Sequence, residues 1–205
     1  AQYRSDPSKE ASSQLSPYFH SGQISTHEVF DKISELESWS PESINPKMVG
    51  RREGWWGSSD NFESFMDELI TWRELGYHTC VRRANYNQYS SLPEWAIKTL
   101  HEHSSDEREH IYSLDELTYS QTHDEIWNAA QNQLRTQGVI QNYLRMLWGK
   151  KILEWTPNPQ IALSYMITLN DRYSLDGRDP NSYSGVFWIL GRYDRAWGPE
   201  RSIFG

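Results

Sequence analysis

One stretch, residues 138–155, constrains the fold of this chain more than any other. Its apolar residues recur at intervals of three, four and seven, which is the spacing of an amphipathic helix. They are Ile140, Tyr143, Leu144, Leu147, Trp148, Ile152 and Trp155. We therefore predict a long buried helix here. Arg145 lies on the same apolar stripe, and a charge in that position needs a partner.

The rest of the chain shows the same helical periodicity. We predict further helices near residues 26–37, from 61 to about 77–83, and at 94–102, 113–118, 125–136, 160–173 and 182–190. Sustained period-two alternation, Asn-Gly hairpins and internal repeats are missing from the sequence, so strands are not expected. The irregular segment 38–60 is interpreted as a surface connection. We expect one all-α domain over 1–205. The sequence begins at Ala1 without Met, and a fragment of a longer chain is one interpretation of this start.

Composition excludes several classes of protein and site. A single cysteine, Cys80, excludes an internal disulfide and Cys-rich zinc or iron–sulfur centres. No apolar run approaches about 18 residues, so no membrane span is expected. His101, His103 and His110 are interpreted as solvated side chains, and no metal site is predicted.

The charge balance limits how this chain could contact nucleic acid. A net charge of −8 argues against a generally nucleic-acid-binding surface, because such affinity rests largely on phosphate neutralisation. A local basic face remains open. The candidates for it are Arg51, Arg52, Arg82, Arg83, Lys150, Lys151, Arg192, Arg195 and Arg201.

Two pairs of charged and aromatic residues have both a structural and a functional interpretation. Glu68 and Trp72 are four residues apart, so they would share a helix face. They could hold a flat polar ligand, or Glu68 could be solvated and Trp72 part of the core. Arg145 could pair with Asp176 or Asp179, either as a structural ion pair or as a bracket around an anionic ligand.

Three tryptophans lie on two consecutive predicted helices. Trp127, Trp148 and Trp155 could simply pack the core, and an aromatic share of 14% suits a well-packed core. Alternatively, oxidisable rings that lie close together could pass electrons between a cofactor and the surface. Spacing alone leaves both interpretations open.

Six motifs in order carry a family resemblance over essentially the whole chain. They are SSQLSPYFHSGQIS, DELITWREL, THDEIWNAAQ, NYLRMLWGKKILEWT, LNDRYSLDGRDPNSYSGVFW and DRAWGPERSIFG. Together they resemble the helical FAD-binding domain of the photolyase/cryptochrome family. The sequences of these motifs are most similar to those of class II cyclobutane pyrimidine dimer photolyases.

The resemblance implies a set of FAD contacts. Backbone N–H groups and hydroxyls of the segment 12–16 would cradle the FAD phosphates, as anion nests do. Arg145 and Asp176 would form a salt bridge beside the flavin ring, and Asn170 would stand at flavin N5. Trp127, Trp148 and Trp155 match the photoreduction chain of the family. The complete list of implied cofactor contacts is Tyr3, Ser12, Ser13, Gln14, Leu15, Ser16, Arg73, Asn142, Arg145, Asn170, Asp176 and Asp179.

The resemblance also implies a substrate and a reaction. Glu68 would hydrogen-bond the edge of a flipped-out pyrimidine dimer, and Trp72, Met146, Trp188 and Arg195 would contact the lesion or its DNA. The implied activity is that of a lyase in which reduced FAD splits the dimer under blue or near-UV light. The alternative is a cryptochrome-like photoreceptor, or a flavin protein without repair activity.

The resemblance also sets expectations about partners and compartment. A monomer acting on UV-damaged DNA is expected, in the cytoplasm or a eukaryotic nucleus, without a membrane partner. The antenna-pigment domain of the family is expected to be absent from this chain. Two departures bear on the substrate: Ser21 replaces the usual aromatic residue, and Gln141-Asn142 replaces the usual His-Gly.

Overall fold

The computed structural model describes residues 6, 9, 11–51 and 53–205, and within these residues all regular structure is helical. The α-helices are α1 (Ser16–His20), α2 (Thr26–Leu36), α3 (Asp60–Met66), α4 (Arg73–Arg82), α5 (Glu94–Glu102), α6 (Leu114–Thr118), α7 (Glu125–Gln137), α8 (Asn142–Glu154), α9 (Pro159–Tyr173) and α10 (Pro180–Ile189). A π-helical segment, Asp67–Trp72, joins α3 to α4. Short 3-10 helices cover Pro41–Ser43, Pro46–Met48 and Tyr89–Ser91. The all-α prediction is confirmed.

Local signals explain most helix boundaries. The Asp124 carboxylate accepts the Trp127 N–H at 2.9 Å and so caps the start of α7. Gly138 ends that helix with a left-handed φ of 73°, a conformation that costs glycine little. Asn158 caps α9 through the Ile161 N–H, and Pro159 occupies its first turn. These capping patterns are why the predicted helices agree with the observed ones to within a few residues.

The helix that was predicted from residue 138 begins at Asn142 instead. Gln141 caps it, because its side-chain oxygen accepts the N–H groups of Tyr143 and Leu144 at 2.6 and 3.1 Å. The predicted stripe is also narrower than expected. Tyr143 and Leu147 are each 49% exposed, so the prediction that they are buried is wrong. Spacing identified the helix, but it could not tell which edge of the apolar stripe would be covered.

The chain forms two compact units, Ala1–His78 and Thr79–Gly205. In the first unit, Val29, Phe62, Met66 and Leu69 form the buried core, and Trp39 and Trp56 pack against it. In the second unit, α7 to α10 enclose a larger core that includes the three tryptophans singled out above. The prediction of a single domain over 1–205 stays a prediction.

His103 helps to hold the last residues of the second unit in place through contacts with two carboxylates. His103 contacts Asp106 through Nδ1 at 2.7 Å and Glu200 through Nε2 at 2.8 Å. Asp106 also accepts the N–H of Ile203, whose side chain is buried in the core. Hydrogen bonds to Asp106 and then Glu200 raise the pKa of His103. His103 is therefore a structural residue, not the solvated histidine that was expected.

No helix in the described part of the chain is long and apolar enough to span a membrane.

Candidate functional site

Three buried tryptophans form a ladder in the second unit. Trp127 on α7, Trp148 on α8 and Trp155 just after α8 are each only 2–3% exposed. The rings of Trp127 and Trp148 lie parallel with centroids 6.4 Å apart, and the ring of Trp155 meets that of Trp127 edge-on at 5.6 Å. The contact order is thus Trp148, Trp127, Trp155, which differs from their order in the sequence.

Two indole hydrogen bonds fix this ladder. Trp127 Nε1 donates to the Trp148 carbonyl oxygen at 3.0 Å, and Trp148 Nε1 donates to Gln131 Oε1 at 2.8 Å. Gln131 lies one turn after Trp127 on α7 and is fully buried. Gln131 was not predicted from the sequence, although a glutamine four residues after a buried tryptophan is a polar residue on an apolar face.

A cluster of ionisable rings follows Trp155. Tyr112 and His123 meet the ring of Trp155 with centroids 5.6 and 5.2 Å away. The Tyr112 hydroxyl lies 2.7 Å from His123 Nδ1 and accepts the His123 backbone N–H at 3.0 Å. His110 packs on His123 with centroids 3.9 Å apart. Because His123 is exposed, this end of the ladder reaches solvent. The sequence pattern did not signal Tyr112 or His123.

The structure brings Arg145 and Asp176 together. Arg145 Nη1 lies 3.6 Å from Asp176 Oδ1, and the two side chains are 17% and 23% exposed. Ser174 Oγ donates to Asp176 and lies 3.5 Å from Arg145 Nη2. Asp179, the other candidate partner, is at the start of α10, where it accepts the Asn181 N–H at 2.9 Å. Arg145 therefore faces a carboxylate from the loop between α9 and α10.

Asn170 joins this polar cluster from α9. It is 1% exposed, its Oδ1 accepts from Arg145 Nη1 at 3.3 Å, and its Nδ2 donates to Ser182 Oγ. Both ends of the amide are therefore engaged by protein groups. Ser182, which lies on α10, was not singled out from the sequence. Arg145 and Trp148 are three residues apart on α8, so the polar cluster and the tryptophan ladder share one helix face.

Trp188 lies near the end of α10 and contacts the carboxylate of Asp194. Trp188 Nε1 and Trp197 Nε1 donate to Asp194 at 3.3 and 3.0 Å, and the Arg195 N–H donates to it at 2.8 Å. Burial raises the pKa of Asp194, but these hydrogen bonds outweigh it and leave that pKa below its ordinary value. The Arg195 guanidinium stacks 4.3 Å from the Trp197 ring centroid.

Met146, the remaining substrate candidate of the second unit, is half-buried on α8.

In the first unit, Glu68 and Trp72 both lie in the π-helical segment, whose backbone hydrogen bonds join residues five apart and not four. The prediction that they share a helix face stays a prediction. Trp72 Nε1 donates to Asp67 Oδ2 at 3.0 Å. Glu68 is exposed and Trp72 is half-buried. Arg73, which follows, donates to the Tyr77 hydroxyl at 3.0 Å and stacks on that ring.

The predicted phosphate-binding segment, residues 12–16, is largely exposed in the first unit. Gln14 has a φ of +55°, and Leu15 after it is right-handed helical. Such alternation turns successive N–H groups toward one side, which is the geometry of an anion nest. Ser13 Oγ accepts the Leu15 N–H at 3.4 Å. Tyr3 lies outside the described residues.

These groups fit the chemistry that a flavin needs. The guanidinium of Arg145, the carboxylate of Asp176 and the amide of Asn170 supply donors and acceptors for a polar ring edge. Asn142 is exposed at the start of α8 and is available as a further polar contact. The nest-like conformation at Gln14 and Leu15 suits a phosphate group.

Comparison with known proteins identifies close relatives. The chain is 44% identical over 203 residues to the deoxyribodipyrimidine photo-lyase of Methanothermobacter thermautotrophicus, covering 99% of this chain and 40% of that protein. It is 41% identical over 203 residues to that of Potorous tridactylus, covering 98% of this chain and 35% of the relative. The protein of the same name from Oryza sativa subsp. japonica is 41% identical over 204 residues, with 98% and 37% covered.

No family model matches the chain. It spans about two fifths of the length of these curated relatives, in their C-terminal part. Identity above 40% over almost all of the chain is far beyond chance similarity. This chain therefore belongs to the photolyase family, as a counterpart of the C-terminal helical part of the deoxyribodipyrimidine photo-lyases.

Proposed function

We propose that the protein repairs cyclobutane pyrimidine dimers in DNA by light-driven electron transfer from reduced FAD, as the names of its relatives suggest. The observation that carries the proposal is the tryptophan ladder, which begins one helical turn from the Arg145, Asp176 and Asn170 cluster. Core packing alone does not require parallel indoles next to a polar cluster. The class II assignment forms part of the same proposal.

FAD, when bound, would supply absorption of blue or near-UV light and the donor for one-electron transfer to the dimer. Arg145 and Asp176 would hold the polar edge of its ring. Asn170 would offer an amide whose orientation is set by Arg145 on one side and Ser182 on the other. The segment 12–16 would bind the phosphates, with Tyr3, Arg73, Asn142 and Asp179 as further cofactor contacts.

The tryptophan ladder would deliver electrons to the cofactor site. Adjacent rings lie at 6.4 and 5.6 Å between centroids, so each transfer crosses one ring contact. All three rings are buried, which keeps water away from them while an electron passes. Tyr112 and His123 mark the end of the path that faces solvent.

Five residues would hold the lesion. The Glu68 carboxylate would accept hydrogen bonds from the pyrimidine edge, and the rings of Trp72 and Trp188 would stack against it. Met146 would pack on the dimer, and Arg195 would bind the DNA near it. Extruding a damaged base from the duplex costs less than extruding a paired one, which favours damaged sites.

A repair assay tests this function. The full protein, reconstituted with FAD and illuminated with a reductant, is expected to convert a thymine-dimer oligonucleotide to undamaged DNA. Failure to bind FAD would refute the proposal, including its cofactor. If the protein instead bound and photoreduced FAD without light-dependent repair, the photoreceptor alternative would replace repair.

A variant pair examines the substrate role of Glu68. Glu68→Gln removes the charge while keeping the shape, and a hydrogen bond to a charged group is worth about 1.5–3 kcal/mol, so repair is expected to fall about ten- to a hundredfold. FAD photoreduction should not change. Glu74→Gln, which changes another exposed carboxylate, on α4, is the matched control. Equal repair by the two variants would remove Glu68 from the substrate site.

A further inference from the structure

Gln131 is an uncharged polar side chain buried inside the tryptophan ladder. It is 0% exposed, and its Oε1 accepts the indole N–H of Trp148 at 2.8 Å. Its Nε2 is buried and has no hydrogen-bond partner among the described residues. Leaving a buried amide donor unpaired costs about 1–3 kcal/mol. A leucine at this position would remove the unpaired amino group, but it would leave the buried indole N–H of Trp148 without its acceptor.

The orientation of this amide follows from its partner. An indole N–H can only donate, so the oxygen of Gln131 must face Trp148 and the amino group must point away. The indole N–H of Trp127 also meets a neutral acceptor, the Trp148 carbonyl oxygen at 3.0 Å. Amide oxygens are very weak bases. Neither of these two indoles therefore donates to a group that could remove its proton near neutral pH.

We propose that Gln131 is a positioning residue that keeps the indole proton of Trp148 in place while Trp148 is oxidised. This inference rests on the proposed function and concerns the photoreduction of FAD, in which the bound and illuminated cofactor would accept one electron from Trp148. Trp148 gives up one electron and becomes an indole radical cation, which is a far stronger acid than indole. Because Oε1 accepts the hydrogen bond but not the proton, the cation persists. Trp127 then transfers one electron to the Trp148 radical cation, and no proton moves in either step.

The outer end of the ladder has the opposite chemistry. Trp155 contacts the imidazole of His123 and the phenol of Tyr112, and the Tyr112 hydroxyl is 2.7 Å from His123 Nδ1. An imidazole nitrogen, unlike an amide oxygen, is a base. An imidazole ring is thus in contact with Trp155, where loss of a proton would trap the oxidised site far from the cofactor. An amide oxygen is in contact with Trp148, where such trapping would stop the transfer.

Substituting Gln131 by an isosteric base tests the inference. In Gln131→Glu, the ionised carboxylate is expected to take the Nε1 proton of oxidised Trp148, leaving a neutral indolyl radical and a carboxylic acid. Flash photolysis of the FAD-loaded full protein distinguishes the two radicals, since the cation absorbs at longer wavelength than the neutral radical. Asn132→Asp makes the same amide-to-acid change on the exposed face of α7 and is the matched control.

The expected result is an early cation signal in the wild-type protein and in Asn132→Asp, and an early neutral radical in Gln131→Glu. That neutral radical should increase as pH rises and the introduced carboxyl group ionises. Gln131→Leu should keep the radical cation but move it from Trp148 to Trp127 by about tenfold at equilibrium. The reason is that the cation on Trp148 would lose its hydrogen bond to Gln131, and a charge-assisted hydrogen bond is roughly twice as strong as a neutral one. An unchanged radical in Gln131→Glu at high pH would overturn the inference.

A second measurement separates this inference from the proposed function. Ultraviolet resonance Raman spectra of the flavin-free protein report the strength of indole N–H hydrogen bonds without any photochemistry. Gln131→Leu should remove one strong indole hydrogen bond from the spectrum, and Asn132→Asp should not. An unchanged spectrum would refute the Gln131 contact even in a protein that photoreduces FAD. A changed spectrum in a protein without photoreduction would refute the proposed function and leave the hydrogen bond established.

Discussion

Gly177 provides a stringent test of how the polar cluster is built. It lies buried in the loop after α9, next to Asp176. A Cβ atom added there would lie 2.8 Å from the Asn170 carbonyl oxygen and 3.0 Å from both Asp171 Cα and the Ser174 carbonyl oxygen. All three neighbours are backbone atoms, so none can move aside by a change of rotamer.

The cost of Gly177→Ala follows from these distances. Non-bonded heavy-atom contacts are optimal at roughly 3.5–4.0 Å, so the methyl group would lie roughly 0.5–1.2 Å too close to these three neighbours. Overpacking of this kind costs about 1–3 kcal/mol. For a chain of this size, 1 kcal/mol shifts Tm by about 2–4 °C, so Tm should fall by about 2–12 °C. The loop would also carry Asp176 away from Arg145, which should weaken FAD binding.

Thermal unfolding followed by circular dichroism measures the first effect, and FAD titration measures the second. Gly185→Ala is the matched control, because a Cβ atom there meets nothing within 4 Å. Alanine in place of a glycine within a helix gains about 0.5–1 kcal/mol, so this variant should raise Tm. The same substitution should thus have opposite signs at the two positions. A Tm for Gly177→Ala that equals or exceeds the wild-type value would contradict the packing described for this loop.

Three further predictions concern other parts of the chain. The pKa of His103 is raised in the folded protein, so the stability that this residue contributes is fully present below the unfolded pKa of 6.5 and is lost as pH rises through the folded pKa. Thermal unfolding measured across that pH range should show this loss of stability. In His103→Gln this pH dependence should disappear. Trp148→Phe should retain FAD but lose photoreduction, as followed by flavin absorbance under illumination; full photoreduction would exclude the ladder. Glu63 is 6% exposed and accepts the N–H groups of Gly54 and Gly57, so Glu63→Gln should cost about 1–3 kcal/mol in chemical denaturation. The exposed Glu35→Gln should change stability by less than about 0.5 kcal/mol, and equal losses would refute a special role for Glu63.

The helices were predictable because their signals are local. Asp124, Asn158 and Gly138 define helix ends through their own backbone neighbours, and such capping does not depend on the rest of the fold. The partner of Arg145 was narrowed to Asp176 or Asp179 because a charge on an apolar stripe requires a carboxylate. The π-helical segment could not be predicted, since no residue type in the sequence marks the switch from α-helical to π-helical hydrogen bonding.

The candidate site was also predicted only in part from the sequence. Sequence motifs pointed to Trp127, Trp148, Trp155 and Asn170, but they gave neither the order of the rings nor the partners that fix them. Gln131 and Ser182 belong to no pattern along the chain, because each acts on a residue 12 to 17 positions away. Contacts at that separation depend on how α7 to α10 pack together.

By itself, the sequence determined an all-α chain, the approximate ends of its helices and its family, because caps, helical periodicity and six ordered motifs are properties of neighbouring residues. The tertiary structure decided which face of α8 is covered, which carboxylate meets Arg145, and that Trp127 stands between Trp148 and Trp155. It also placed an amide at the inner end of the ladder and an imidazole at the outer end. These features depend on distances between helices, and such distances are set by the packing of side chains that lie far apart in the chain.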